Sequence, residues 1–198
     1  MQLKLYNLIE STEVLGPYNR FAIWTQGCPF SCMSCMTPNS QSLEGGKDYN
    51  IFQLADMIIN NIKIEGLTIT GGEPFIQIEA LIILLKKVKE KRDIGVIVYS
   101  GYTLEEINYS ETKQELLKYI DILIDGKYID SLNDDISLRG SSNQNIYQLT
   151  NRYSKIFEQY YNIRQRNIEL YLNKTELMVA GIPKQERLDK FRERGVIA

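Results

Sequence analysis

Residues 27–35 read Gly27-Cys28-Pro29-Phe30-Ser31-Cys32-Met33-Ser34-Cys35, and this stretch holds all three cysteines of the 198-residue chain. The spacing is C-x3-C-x2-C. Three thiolates this close in an otherwise cysteine-free chain can converge on one inorganic centre, and thiolate is the ligand that iron–sulfur clusters and zinc select. Cys28, Cys32 and Cys35 are therefore the candidate ligands of a metal centre.

The residue types that the chain lacks narrow the choice of centre. A closed structural zinc site takes four ligands, usually Cys and His, and this chain has no fourth cysteine and no histidine. An Asp or Glu could complete a zinc site, so zinc stays an alternative. A cubane 4Fe–4S cluster on three cysteines leaves one iron open to bind a small molecule. The close clustering of the cysteines argues against three thiols that are merely buried in the core as small hydrophobic groups. A set of disulfides also fits poorly, because the number of cysteines is odd and the chain shows no secretory signal.

Composition indicates an ordinary globular protein. Hydrophobic residues make up 43% of the chain and charged residues 24%, and the length allows a sizeable core. No apolar run approaches the length of a membrane span, and no targeting peptide is visible. Cysteines that must stay reduced point to a cytoplasmic location. The net charge of −2 gives no general case for nucleic acid, so we expect neither nucleic acid nor a membrane as a partner.

Charge divides the chain into two parts. Residues 1–150 hold 13 Lys/Arg and 19 Asp/Glu, a net −6, whereas residues 151–198 hold 10 and 6, a net +4. The basic tail could dock an acidic partner, or it could be only a solvated face. The residue pattern also changes near 150. We therefore expect a core domain over 1–150 and a C-terminal extension over 151–198 that packs on the core.

The apolar periodicity of the core predicts strands and helices in alternation. Strands are predicted at 3–9, 20–25, 67–70, 94–99 and 120–124, and helices at 51–62, 76–92, 104–107 and 111–119. Alternation at this spacing indicates βαβ units and a parallel sheet, so the fold class is α/β. In the extension, the spacing of Tyr153, Ile156, Phe157 and Tyr160 predicts a helix, followed by a β-hairpin of 168–172 and 176–180 and a short charged helix at 184–193.

Glycine-rich and polar motifs follow three of the predicted strands. They are Gly71-Gly72-Glu73-Pro74, Tyr99-Ser100-Gly101-Tyr102 and Asp125-Gly126-Lys127. Ligands of α/β proteins bind at the carboxyl ends of parallel strands, so we expect the three motifs to meet at one site. Each motif alone could be an ordinary turn, and Thr103 with Glu106 three residues on fits a helix cap better than a binding role.

The cysteine loop and the Gly-Gly-Glu-Pro turn together resemble the radical S-adenosylmethionine (SAM) superfamily. The closest subfamily is the activating enzymes of anaerobic ribonucleotide reductase. Further shared features are Leu15-Gly16-Pro17, the motifs at 99–102 and 125–127, and Arg139-Gly140-Ser141-Ser142-Asn143-Gln144. The resemblance covers roughly residues 12–148. It does not explain the extension.

The resemblance implies a fold, two cofactors and a reaction. The fold is a partial (β/α) barrel of the radical SAM type with mostly parallel strands, here carrying a C-terminal helix and hairpin. A 4Fe–4S cluster on Cys28, Cys32 and Cys35 would bind SAM at its open iron and cleave it to a 5′-deoxyadenosyl radical. The target would be a glycine of anaerobic ribonucleoside-triphosphate reductase, and an electron donor such as flavodoxin or ferredoxin would be a second partner.

The resemblance also implies roles for individual residues. The turn formed by Gly71, Gly72, Glu73 and Pro74 would contact the amino group of SAM, and Ser100 would lie near its carboxylate or ribose. Asp125 and Lys127 would orient SAM and the nascent radical, and the segment 139–144 would face the substrate or partner. Ser34 departs from the family, because many members carry an aromatic residue before the third cysteine. The adenine contact is therefore left open.

Two other functions stay open. The same radical chemistry could serve another glycyl-radical enzyme, a peptide or a small molecule, and the additional extension keeps that alternative alive. A protein of another class, a non-catalytic metal- or cluster-binding module, would also use clustered cysteines. An electron-transfer cluster would normally have four of them.

Overall fold

A mixed sheet organises the molecule, whose computed structural model describes residues 1–136, 138–158, 166–172, 177–183 and 185–193. Within those residues the sheet has seven strands in the order β3-β1-β2-β4-β5-β6-β7. They are β1 (Gln2–Thr12), β2 (Arg20–Thr25), β3 (Lys47–Asn50), β4 (Gly66–Gly71), β5 (Gly95–Tyr99), β6 (Ile122–Asp125) and β7 (Asn145–Gln148). The central strands β2, β4, β5 and β6 are parallel, and the outer pairings are antiparallel.

Helices connect the parallel strands and cover one face of the sheet. They are α1 (Ile51–Asn60), α2 (Ile78–Lys91), α3 (Leu104–Asn108) and α4 (Glu111–Leu117). Their apolar stripes pack on alternate strand residues in one core, for example Leu54 and Leu84 with Ile69. Burial of such side chains contributes about 2 kcal/mol each and holds the layers together. Among the residues described, no helix combines the length and apolar character that crossing a bilayer requires.

The opposite face of the sheet is covered by the C-terminal part of the chain. A hairpin of β8 (Ile168–Leu172) and β9 (Leu177–Gly181) places Ala180 against Ala22 and Trp24 of β2. The segment before the hairpin places Tyr153 against Ile97 of β5 and its neighbours. A last helix, α5 (Gln185–Glu193), follows the hairpin. The extension thus packs on the face that the other helices leave uncovered.

A buried arginine fixes the amino end of the parallel sheet. Arg20 is fully buried, and its Nε donates to the hydroxyl of Thr68 at 2.7 Å. Its two terminal nitrogens donate to the carbonyl oxygens of Pro17, Leu67 and Gly95 and to the hydroxyl of Tyr153. Five N–H donors therefore meet five acceptors, which is the condition for burying a guanidinium group without an unpaired donor.

Most of the predicted elements are confirmed. The five predicted core strands correspond to β1, β2, β4, β5 and β6, and the predicted helices of the core correspond to α1–α4. The Thr103 cap is confirmed as a reciprocal capping box with Glu106. The sequence analysis missed β3 and β7. Each has only four residues, which are exposed or half-buried and show no apolar alternation.

The predicted elements of the extension are confirmed except for part of its first helix. Residues 151–156 form turns, and helical residues begin only at 157. Tyr153, Ile156 and Phe157 still pack on the sheet, as predicted, while Tyr160 lies outside the described residues. The hairpin strands and the last helix are present, but residues 173–176 and Lys184 lie outside the described part of the chain.

Candidate active site

A cavity lies at the carboxyl ends of the parallel strands, beneath the cysteine loop. Its lining includes eight of the ten residues that the sequence predicts for the site: Cys28, Cys32, Cys35, Gly71, Gly72, Glu73, Ser100 and Lys127. The other two, Pro74 and Asp125, are buried but do not line it. The three motifs that follow separate strands therefore meet the cysteines at one place.

The cysteine loop presents its three thiols to this cavity. All three are unpaired and half-buried, and the loop is fixed by hydrogen bonds from Gly27 N to Ser40 O at 2.8 Å and from Cys28 N to Gln41 O at 2.9 Å. Among the described side chains, no three Cys, His, Asp or Glu converge closely enough to hold a single metal ion. Three thiols around a cavity form the donor set of a cluster, which is wider than one ion, so the residues fit a 4Fe–4S group.

Burial favours the thiol form of Cys28 and Cys32. Desolvation raises the pKa of Cys28 to about 11, with a smaller contribution from the negative charge of Glu73. Desolvation also raises the pKa of Cys32, and the positive charge of Lys127 partly opposes that shift. A coordinated thiol is deprotonated by its metal. Cluster binding at this site should therefore release protons.

The glycine turn after β4 contacts the cysteine loop through backbone hydrogen bonds. Gly72 N donates to Thr25 O at 2.8 Å, and Glu73 N donates to Gly27 O at 2.8 Å. A Cβ atom on Gly72 would overlap the carbonyl oxygen of Gly27, and Gly71 has a φ of 102°, which favours glycine. The absence of side chains at both positions lets the turn and the cysteine loop touch through their backbones.

Glu73 is a fully buried carboxylate that joins two of the motifs. One oxygen accepts from Phe75 N at 2.9 Å and from the Ser100 hydroxyl at 3.0 Å, and the other accepts from Gly101 N at 2.7 Å. Desolvation raises its pKa to about 7, although the three donors oppose the shift. Glu73 therefore holds the turns after β4 and β5 together. The Ser100 hydroxyl also accepts from Tyr102 N at 3.0 Å, so it serves the same connection.

Phe30 anchors the cysteine loop to the turn after β5. A Cβ atom on Gly101 would overlap the Phe30 ring, so the missing side chain makes room for the aromatic group. The ring meets Tyr102 edge-on, with centroids 4.8 Å apart, and the Nζ of Lys127 lies 4.8 Å from its centroid. Met33, by contrast, is fully exposed. Of the two large apolar side chains of the loop, Phe30 packs against its neighbours and Met33 does not.

Lys127 and Asp125 lie on different sides of the same strand end. Lys127 is exposed and reaches the cavity over Phe30. Asp125 is buried and accepts from Leu104 N at 2.6 Å and from the backbone and side-chain nitrogens of Asn145, both at 3.2 Å. The Asp125 carboxylate thus connects α3 to β7, whereas the lysine is placed to act on groups in the cavity.

The polar segment 139–144 forms one wall of the cavity through Gly140 and Gln144. The Gln144 side chain accepts from Gly140 N at 2.6 Å and donates to Gly126 O at 2.6 Å. Asn143 donates to Lys127 O at 2.9 Å. The segment is therefore attached to the turn after β6, beside Lys127.

Sequence reasoning missed several cavity residues. Trp24 lies one residue before the end of β2 and points to the inner face with Ala22, which strand alternation could have indicated. Val179, Ile182 and Pro183 also line the cavity. They lie about 150 residues after the cysteine loop. No local pattern predicts that the hairpin returns to this site.

Comparison with known proteins is consistent with a 4Fe–4S site. Residues 14–147 match the model of the family described as "4Fe-4S single cluster domain", so the class is that of proteins with a single 4Fe–4S cluster. The anaerobic ribonucleoside-triphosphate reductase-activating protein of Vibrio cholerae is 35% identical over 145 residues, which span 69% of this chain and 92% of that protein. The protein of that name from Haemophilus influenzae is 34% identical, with 69% and 93% covered, and that from Escherichia coli K12 is 29% identical, with 69% and 92% covered. The chain belongs to the family of anaerobic ribonucleoside-triphosphate reductase-activating proteins. The predicted resemblance and the predicted 4Fe–4S cluster are thereby confirmed.

Proposed function

We propose that this protein is a radical SAM enzyme that generates a glycyl radical on an anaerobic ribonucleoside-triphosphate reductase. The main observation behind the proposal is that three free cysteines and the Gly71–Gly72 turn line the same cavity. The chain belongs to a family whose members are named for activating that reductase. The four parallel strands, with helices on one face and the cavity at their carboxyl ends, support a partial (β/α) barrel of the radical SAM type.

In this proposal the chain's residues hold two groups side by side. Cys28, Cys32 and Cys35 would hold the cluster through their three thiolates, and SAM would bind beside it. When bound and reduced, the cluster supplies the one electron that splits the C5′–S bond of SAM into methionine and a 5′-deoxyadenosyl radical. Gly71 and Gly72, which carry no side chains, let their backbone approach the SAM amino group closely.

The remaining residues position and shield those groups. Glu73 accepts hydrogen bonds from Phe75, Ser100 and Gly101, so we assign it to holding the site together. Lys127, whose ammonium group lies at the cavity, would attract an anionic group such as the carboxylate of SAM. The Phe30 ring covers one side of the cysteine loop and would keep water from that side.

The substrate supplies the hydrogen atom in this scheme. A substrate glycine would give up a hydrogen atom from its Cα to the 5′-deoxyadenosyl group, so that 5′-deoxyadenosine and a glycyl radical would be the products. A soluble low-potential donor such as flavodoxin or ferredoxin would provide the electron. The need for reduced thiols supports a cytoplasmic location.

The test uses the protein reconstituted anaerobically with iron and sulfide. We expect about four irons per chain, formation of 5′-deoxyadenosine with dithionite and SAM, and a glycyl doublet in the electron paramagnetic resonance spectrum after addition of the reductase from the same source. SAM cleavage without the doublet would assign the radical chemistry to another protein, a peptide or a small molecule. One zinc per chain and no SAM cleavage would instead indicate a non-catalytic module.

A further inference from the structure

The C-terminal hairpin supplies a wall of the cavity, although it lies beyond the residues that match the family model. That match ends at residue 147, whereas Val179, Gly181, Ile182 and Pro183 line the cavity together with the cysteines. Leu15 and Trp24 line the same cavity, and both belong to the apolar cluster in which Ala180 of the hairpin packs on the sheet. This chain therefore adds to the family's site a surface that carries neither charge nor side-chain hydrogen-bonding groups.

The hairpin is held in place by side chains of β8 and of the segment just before it. Toward β1, Glu169 accepts from the Thr12 hydroxyl at 2.7 Å and from Glu13 N at 3.0 Å, and the Tyr171 hydroxyl donates to Ser11 O at 2.8 Å. Toward the opposite side, Arg166 is buried and donates to Arg139 O at 3.0 Å. The hairpin is thus fixed to the end of β1 and to the polar segment 139–144, which forms another wall of the cavity.

The two walls differ in chemistry. The wall around Gly140 and Gln144 consists of polar groups that are hydrogen-bonded to one another, while the wall around Val179 and Ile182 is apolar. Arg166, which precedes the hairpin, connects the two walls. It donates to Gly140 O at 3.4 Å and forms an ion pair with Asp135 at 3.5 Å. A cleft with one polar and one apolar side suits an extended polypeptide, whose backbone can meet the polar side while its side chains meet the apolar side.

We propose that the hairpin residues Val179 and Ile182 select the protein substrate by contacting the glycine-bearing segment of the reductase inside the cavity. This inference rests on the proposed function. The residues that would hold the cluster and SAM all lie within the family match, which ends at residue 147. We therefore assign the residues that the extension adds to the remaining participant, the protein substrate. Apolar flanking residues of the substrate segment would bury against Val179, Ile182 and Pro183.

The test measures initial rates of glycyl-radical formation against reductase concentration, with the reconstituted holoenzyme. Ile182→Ala removes three carbons from the wall, and we expect the KM for the reductase to rise by about tenfold, since missing methylenes in an apolar pocket have effects of that size. Ile182→Phe enlarges the wall, and we expect the maximal rate to fall because the segment no longer reaches the site. Val179→Ala repeats the first change at a second position. Leu172→Ala is the matched control, because Leu172 lies on the same hairpin and is 81% exposed.

A second measurement separates substrate from cofactor. The dissociation constant of SAM is determined by equilibrium dialysis for each variant. A KM for the reductase that stays at the wild-type value in both alanine variants would overturn the inference. A loss of SAM affinity by the same factor would also overturn it, since it would assign the wall to the cofactor. Failure of the wild-type protein to cleave SAM or to form the glycyl radical would instead reject the proposed function.

Discussion

The hydroxyl of Ser100 donates a 3.0 Å hydrogen bond to the carboxylate of Glu73, and this contact joins the turn after β4 to the turn after β5. The same carboxylate accepts from the N–H groups of Phe75 and Gly101. Three donors favour the ionised form, but complete burial favours the neutral form. Burial has the larger effect and raises the pKa of Glu73 from 4.5 to about 7.

Glu73 should make the stability of the protein depend on pH. Because the folded chain binds this proton more tightly than the unfolded chain, the stabilisation is fully present below about pH 4.5 and is lost as the pH rises through about 7. The full change is about 3 kcal/mol in the free energy of unfolding. Urea unfolding of the cluster-free protein between about pH 5 and pH 8 should show this decrease, and Glu73→Gln should show a shallower one.

The matched control for that measurement is Glu79→Gln. Glu79 is exposed in the first turn of α2, so its variant should retain the wild-type dependence of stability on pH. An equal decrease with pH in the wild type and in Glu73→Gln would show that another group is responsible.

Phe30 should determine how firmly the cysteine loop keeps its cluster. Phe30→Ala removes the contacts of the ring with Gly101, Tyr102 and Lys127. We expect the reconstituted variant to lose iron and sulfide severalfold faster than the wild type on exposure to air, because solvent reaches the loop from that side. Phe52→Ala serves as the control, since Phe52 is 51% exposed on α1. Equal rates of iron loss in all three proteins would contradict an anchoring role.

The core of the fold could be predicted from sequence because its signals are local. The apolar run at 20–25 and the stripe at 51–62 specify a strand and a helix through their own periodicity. The cysteine spacing needs no tertiary information either. The position of the motifs followed from one general rule, that parallel strands expose their carboxyl ends at the same edge.

The roles of individual side chains were harder to predict, because they depend on contacts between distant parts of the chain. Glu73 was predicted to bind the cofactor, and nothing in its local sequence indicates that it also accepts hydrogen bonds from residues 100 and 101. Asp125 stays a prediction as a cofactor residue, although its oxygens contact Leu104 and Asn145. The hairpin wall depends on tertiary packing alone.

Cys32 should be indispensable for the cluster. Cys32→Ser replaces a soft thiolate with a hard hydroxyl, which iron–sulfur clusters rarely accept. We expect the reconstituted variant to carry far less iron than the wild type and to form no 5′-deoxyadenosine from SAM under dithionite. Ser34→Ala changes a neighbour in the same loop and should retain both the iron and the activity. Undiminished SAM cleavage by Cys32→Ser would refute the assignment of the ligands.

Arg20 and Tyr153 should stabilise the protein as a pair. Tyr153→Phe removes a 3.0 Å hydrogen bond from the guanidinium group and should lower the free energy of unfolding by about 1 kcal/mol. Arg20→Met leaves the carbonyl oxygens of Leu67 and Gly95 without their arginine donors, and it should cost about 3 kcal/mol or more. Both values can be measured by urea unfolding.

The double variant shows whether the extension acts through this pair. If Tyr153 stabilises the fold mainly by accepting from Arg20, the loss in the double variant should be smaller than the sum of the two single losses. The ring of Tyr153 would still pack on Ile97 and Ile122 in every variant, since the phenylalanine keeps the ring. Additive losses would mean that the Tyr153 hydroxyl contributes independently of the guanidinium group.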